Sequence, residues 1–213
     1  MSSREVHHGD GVAWLREASL GPEHAVVTSL PDVSELPALG LTQWSRWFVD
    51  VVELVCGRVH PDAVAIFYQT DIKHDGRWVD KAHLVHQGAD RAGIGCLWHK
   101  IVCRTEAGGT TFGRPAYGHW MAFSAALRLS TGSSTPDVLP GTGVMTWARA
   151  MPMTAVVGTC RFLLDHTPCR VVVDPFCGHG TMLAAANAHG LDAIGVELSA
   201  KRVRKAMRIN LEP

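Results

Sequence analysis

Residues 171–181 read VVVDPFCGHGT. An apolar, β-branched run ends on a carboxylate, Asp174. Pro175, Phe176 and Cys177 follow, then two glycines, Gly178 and Gly180, and Thr181 opens an alanine-rich segment. This is the order strand, glycine loop, helix, and the glycines let the backbone turn sharply and approach a ligand closely. The next apolar run, AIGVE, ends in Glu197, 23 positions after Asp174, with Leu198 behind it. An acid at the tip of a second strand is placed to accept the hydrogens of both ribose hydroxyls.

The rest of the ligand follows by exclusion. A dinucleotide fingerprint needs a small residue three positions after the second glycine, where helix packs on strand beneath a pyrophosphate. Position 183 is Leu. Asp174 would repel a pyrophosphate and welcome a cation. S-adenosyl-L-methionine has a ribose, a sulfonium and an amino group but no phosphate, and it is the cofactor this segment predicts. The plainer alternative is that the two glycines only shape a strand-to-helix turn.

These residues need a sheet and helices to hold them. Apolar β-branched runs at 4–8, 24–28, 63–69, 93–104, 117–124, 171–174 and 193–196 alternate with amphipathic stretches at 11–18, 41–56, 80–92, 153–164, 181–189 and 199–210. That alternation predicts an α/β fold, a mostly parallel sheet with helices on both faces. Gly-Gly within 106–111 marks a hairpin tip, and STGSSTPDVLPGTG at 130–143 reads as a long flexible loop. Lys plus Arg equals Asp plus Glu at 20 each, so any binding to nucleic acid must come from a local patch. Six scattered cysteines without a ligand-type cluster, and His7 and His8 without partners, predict no metal and a reduced, cytoplasmic protein. No apolar run approaches membrane-spanning length, so no membrane partner is expected.

The segment DPFCGHGTMLAAANAHGLDAIGVELS resembles the DPF-C-G-x-G-T segment of the S-adenosylmethionine-dependent amino-methyltransferases that modify N4 of cytosine or N6 of adenine. Only 32 residues follow Thr181, too few to complete a sheet, so the likeness is to the permuted branch, whose target half comes first. EVHHGD resembles that family's I-x-G-D strand, which implies that Asp10 contacts the adenine amino group. GCLWHKIVCR resembles its Trp-x-Lys strand, and MPMTAVVGTC occupies the place of the segment that covers the methionine part of the cofactor. The resemblance implies a Rossmann-like class I methyltransferase fold in circularly permuted order. Residues 1–129 would be the target half, 130–147 a flexible loop and 148–213 the cofactor half of one domain. It also implies a cofactor site of Asp10, Thr28, Asp174, Pro175, Phe176, Cys177, Gly178, Gly180, Thr181, Glu197 and Leu198.

The strand HAVVTSLPD falls where the family carries its catalytic tetrapeptide, (D/N/S)-P-P-(Y/F). Here the tetrapeptide is Ser29-Leu30-Pro31-Asp32. Ser29 and the Leu30 carbonyl are able to accept hydrogens from an amino group and align it for in-line displacement, and Pro31 stiffens the turn. Asp32 replaces the aromatic that stacks on the base. On one reading the target remains an amino group, Asp32 is an extra acceptor, and Trp44, Trp47 or Tyr117 stacks instead. On a second reading the target is a ring nitrogen or hydroxyl and Asp32 is the general base. On a third, Asp32 only caps the following helix.

For the substrate side, YQTDIKHDGRWVDK offers Lys73, His74, Arg77 and Lys81 with Trp78 for phosphate contact and stacking. TFGRPAYGHW places Arg114 and Tyr117 on a hairpin. Either segment reads equally as a solvated loop or turn. The interval between the Trp-x-Lys strand and the cofactor half is short for reading several base pairs in a groove. RNA, recognised by shape with one base splayed out, is therefore the expected partner ahead of DNA. A small metabolite as substrate and a non-catalytic partner subunit are the rival readings.

Overall fold

A computed structural model describes residues 2–211. The sheet runs β1 (Arg4–His8), β10 (Asp192–Glu197), β9 (Val171–Asp174), β2 (His24–Thr28), β3 (Ala65–Gln69), β7 (Tyr117–Ser124), β6 (Gly95–Cys103) and β8 (Val138–Leu139), in that spatial order. From β1 to β3 every neighbour is parallel, and β7 is antiparallel to both β3 and β6. The first strand thus lies beside the last, and His8 sits opposite Glu197. The permuted order expected from the sequence is what closes the sheet.

Helices cover both faces. Against one pack α4 (Met153–His166), α5 (Thr181–Ala188) and α6 (Ala200–Arg208), around Val27, Ile66, Val172 and Leu183. Against the other pack α1 (Gly11–Glu17), α2 (Leu41–Arg58) and α3 (Lys81–Arg91), around Val26, Phe67, Val173 and Phe48. Val26 and Val27, and likewise Val172 and Val173, face opposite ways because side chains alternate along a strand. This double burial explains why these strands read as unbroken apolar runs. In α2, Trp44, Phe48, Val51, Val52 and Val55 form one buried stripe at helical spacing.

The helix after β9 goes to one face and the helix after β2 to the other. The carboxyl ends of these two adjacent strands therefore open a crevice, the usual ligand position in such sheets. Gly11 holds the two ends of the chain together there: a Cβ at this position would run into the Pro175 carbonyl oxygen.

Two stretches differ from expectation. Residues 72–79 form a hairpin of β4 (Ile72–His74) and β5 (Arg77–Val79), turned by Asp75 and Gly76 at φ 48° and 70°. Both central residues with positive φ make the tight turn that matches strand twist. The stretch 130–143 is pinned rather than free. Val138 and Leu139 pair with β6, and Lys100 Nζ donates to the carbonyls of Thr135 and Pro136 at 3.0 Å each. No helix among the described residues is long and apolar enough to cross a membrane.

Replacing Gly11 by Ala should lower unfolding free energy by about 1–3 kcal/mol, the usual cost of overpacking. Gly57→Ala, in α2 with open space around its Cα, should instead stabilise by about 0.5–1 kcal/mol. Urea denaturation of the two variants checks the pair.

Candidate active site

A cleft of about 630 Å³ lies over the carboxyl edge. It is lined by Asp10, Ser29, Leu30, Pro31, Asp32, Arg114, Asp174 through Gly178, Thr181, Glu197 and Leu198, all of them residues singled out from the sequence. Among these, Asp174 is a buried carboxyl. Thr28 Oγ1 donates to Asp174 Oδ1 at 2.7 Å from the adjacent strand, and the Phe176 N–H donates to the same oxygen at 3.1 Å. Burial pushes this carboxyl up to about 7, and the nearby Glu197 charge adds to the rise against the two hydrogen bonds. Thr28 thus acts from behind the cleft, on Asp174.

Gly178 and Gly180 both have positive φ, 56° and 81°. Gly180 does not reach the cleft. A Cβ there would stand 2.8 Å from Ala206 Cα, so its glycine lets α6 close on the loop. Glu197 Oε1 accepts from the Ser199 N–H at 2.8 Å, and Arg202 Nη1 approaches it at 3.8 Å. Asp10 caps α1, accepting from the Ala13 N–H at 2.8 Å, and remains exposed at the rim. Trp147 stacks on His179, ring centroids 4.2 Å apart, and lines the cleft with Ala148–Met151. The end of the 130–147 segment is therefore a wall of the site.

On the other side, the Ser29 hydroxyl and the Leu30 carbonyl have no hydrogen-bond partner among the described residues. Pro31 does: its carbonyl accepts from Trp44 Nε1 at 3.1 Å. Asp32 starts the single helical turn Val33–Glu35, and its N–H donates to Glu35 Oε2 at 3.1 Å. Arg149 Nη1 binds the other Glu35 oxygen at 2.8 Å, tying the far wall to this turn. Asp32 Oδ1 pairs with Lys81, whose buried ammonium also lies 5.7 Å from the Trp44 ring centre. Asp32 thus both precedes this helical turn and lines the cleft.

Several expected contacts do not line the cleft. Trp44 is fully buried under α2 and is not available to stack on a base, whereas Trp47 lines the cleft edge-on to Phe176. Tyr117 lies against His119 instead. Lys73, His74, Arg77 and Trp78 stand on the β4–β5 hairpin, beyond Ile72, which does line the cleft. Lys73 Nζ sits 5.2 Å from the Trp78 ring centre.

The sequence reading missed the wall that follows β3, Tyr68, Gln69, Thr70 and Asp71; Lys81, expected on the substrate side, lines the cleft with it. The signal was a polar run, QTD, directly after an apolar strand. Asp71 accepts from Lys81 N at 2.8 Å, Trp78 Nε1 at 2.9 Å and His119 Nε2 at 3.0 Å. Burial raises its carboxyl, but these bonds outweigh burial and hold it below the ordinary carboxylate value. His119 Nδ1 meets His99 Nε2 at 2.9 Å. Asp71, Asp80 and His119 lie within ligand distance of one another, but hydrogen bonds already engage both Asp71 oxygens and both His119 nitrogens. Tyr68 and Gln69 are the exceptions in this wall: both are buried, and the Tyr68 hydroxyl and the Gln69 amide nitrogen have no partner among the described residues. A buried donor in that state costs about 1–3 kcal/mol.

Solved structures share this architecture. TTHA0409 of Thermus thermophilus, described as a candidate DNA modification methylase and crystallised with S-adenosyl-L-methionine, superposes with a TM-score of 0.71 at 20% identity, over 96% of this chain and 92% of that one. The PvuII DNA methyltransferase, cytosine-N4-specific, gives 0.72 at 14% identity, over 97% and 86%. The M1.HpyAVI–SAM complex gives 0.61 at 11% identity, over 98% and 100%. No protein-family model and no curated protein sequence matches the chain. The expected Rossmann-like, class I methyltransferase fold is borne out.

Asp32→Ala strands the buried Lys81 charge, whereas Lys81→Met leaves a half-exposed carboxylate that water can solvate. In guanidinium titrations Asp32→Ala should therefore cost about 1–3 kcal/mol, and Lys81→Met distinctly less. The reverse order would mean that the pair does not hold this turn.

Proposed function

We propose that the protein is an S-adenosylmethionine-dependent methyltransferase acting on an exocyclic amino group of a nucleobase in a nucleic acid strand. The observation that carries this reading is the buried Asp174 carboxyl, raised to about 7 at the bottom of a cleft whose other half presents unpaired acceptors. A carboxylate so deprived of water is stabilised by an incoming cation. The donor set fits the cofactor: Asp174 for its cationic end, Glu197 for the ribose hydroxyls and Asp10 for the adenine amino group. Pro175, Phe176, Cys177, Gly178, Thr181 and Leu198 form the surrounding wall.

When bound, the cofactor supplies an electrophilic methyl group on its sulfonium. This chain's own residues then have to orient the acceptor. Ser29 Oγ and the Leu30 carbonyl accept the two amino hydrogens, which turns the nitrogen lone pair toward the cofactor side. Pro31, anchored through its carbonyl to Trp44, keeps that turn rigid. Alignment of this kind supplies much of the acceleration in a displacement between two bound partners. Asp32 Oδ2, the oxygen that Lys81 does not engage, is the acceptor for the proton the amine loses. Trp47 is one of the aromatic side chains at the cleft that can flank an extruded base.

RNA is the strand type that the short interval between β7 and α4 favours. DNA is the second reading, and a specific observation supports it: the chain matches most of the length of structures described as DNA methylases. The test begins with isothermal titration of S-adenosylmethionine and continues with transfer of labelled methyl into RNA and DNA from cells lacking the gene. Nucleoside mass spectrometry of the same cells names the missing base.

Because a cation binds the ionised Asp174, cofactor affinity should rise from pH 6 to about 7 and level off by 8. At pH 6 binding should release close to one proton, visible as buffer-dependent heat. Asp174→Asn should weaken binding at pH 8 by about tenfold or more and flatten the pH dependence. Binding by the unaltered protein that is equally tight at pH 6 and pH 8 would overturn the role given to Asp174. Methyl incorporation into neither nucleic acid would overturn the substrate assignment.

A further inference from the structure

Gln69 is the last residue of β3 and lines the cleft at 1% exposure, with its amide nitrogen unpaired among the described residues. Among its neighbours at this edge the Tyr68 hydroxyl is also unpaired, whereas Asp71 holds three donors, and His119, directly across the ladder from Gln69, is held by Asp71 and His99. The ladder between β2 and β3 pairs Thr28 with Phe67. The ladder ends there, and Leu30 and Gln69, each two residues further along its own chain, both line the cleft. The Leu30 carbonyl and the Gln69 amide thus reach the cleft from the ends of two adjacent strands. One accepts a hydrogen bond and the other donates one.

We propose that Gln69 is a specificity-determining residue, donating from its side-chain amide to the ring nitrogen next to the reacting amine. The proposal rests on the nucleobase methyltransferase reading above and sharpens its substrate class. An acceptor beside a donor matches an exocyclic amine beside an unprotonated ring nitrogen. That is the Watson–Crick edge of cytosine, N4 with N3, and of adenine, N6 with N1. Guanine carries a hydrogen on the ring nitrogen next to its amine and would meet the amide donor with another donor. A buried polar group discriminates through the analogue that leaves it unpaired, which is a stronger filter than shape. With its unpaired nitrogen toward the base, Gln69 therefore favours cytosine or adenine, whereas guanine requires the amide to turn its oxygen inward.

The test uses DNA and RNA oligonucleotides with randomised flanks around one fixed base: cytosine, adenine, guanine, 3-deazacytosine or 1-deazaadenine. The deaza bases keep the amine and the shape but lose the acceptor. For the unaltered protein, kcat/KM should fall about 10- to 100-fold on the matching deaza base, the range expected when a buried donor loses its partner. Gln69→Leu should lose a similar factor on the natural base and almost nothing more on the deaza base, since residue and atom then act as one pair. Circular dichroism melting and cofactor titration keep a folding defect apart from this effect. If the unaltered protein methylates natural and deaza bases equally, the assignment of Gln69 fails while the proposed function stands. The same holds if Gln69→Leu slows both by the same factor. If no strand accepts methyl, both fail.

Discussion

The hydrogen bond from Thr28 to Asp174 is the point on which the rest of the structure turns. Thr28 ends the second strand of the sequence and Asp174 the ninth, 146 positions apart, and both are buried. Their contact joins the two halves of the chain at the carboxyl edge of the sheet. It fixes the charge at the floor of the cleft and sets the start of the glycine loop. It also places Ser29 and Leu30, the two residues that follow β2, on the opposite wall. Cofactor wall and acceptor wall are in this sense two continuations of one pair of strands.

Around this contact the same economy recurs. Lys81 gives its backbone N–H to Asp71 and its ammonium to Asp32, so the first residue of α3 links the wall after β3 with the turn after β2. Trp44 donates to the Pro31 carbonyl while its ring fills the core beneath α2. Arg149 reaches across to Glu35. The first two links tie cleft residues to a buried side chain and the third ties two cleft walls together, which is how a polar site is held to the geometry that chemistry requires.

Much of this was legible in the sequence because it follows from patterns with one physical cause. Buried strands in an α/β sheet are unbroken apolar runs, and Asp174, the two glycines and Glu197 have spacings that only a strand-loop-helix-strand unit satisfies. What escaped notice had a different cause. The hairpin at 72–79 carries Asp75-Gly76, a strong turn signal, but its charged strands looked like solvent-facing loop. Lys81 is buried although lysine reads as surface, because its partners Asp32 and Trp44 come from elements far away in sequence. Val138–Leu139 is too short a strand for any periodicity to mark, and Lys100 pins that stretch through carbonyls that composition does not reveal. Contacts between distant segments were hidden, and so was local order where strands were short or charged.

Asp174 also shows what the site costs the fold. An ordinary carboxyl titrates near 3.8, and this one titrates at about 7. Its folded-state value is raised, so its stabilising contribution is fully present below the unfolded value and is lost as pH rises through the folded one. At neutral pH the protein therefore carries part of a burial penalty that Thr28 and Phe176 only partly offset. A sheet selected for stability alone would place a neutral residue here. The carboxylate is understandable as the half of an ion pair whose other half arrives with a ligand, and folding and binding are thus coupled through one oxygen-bearing group.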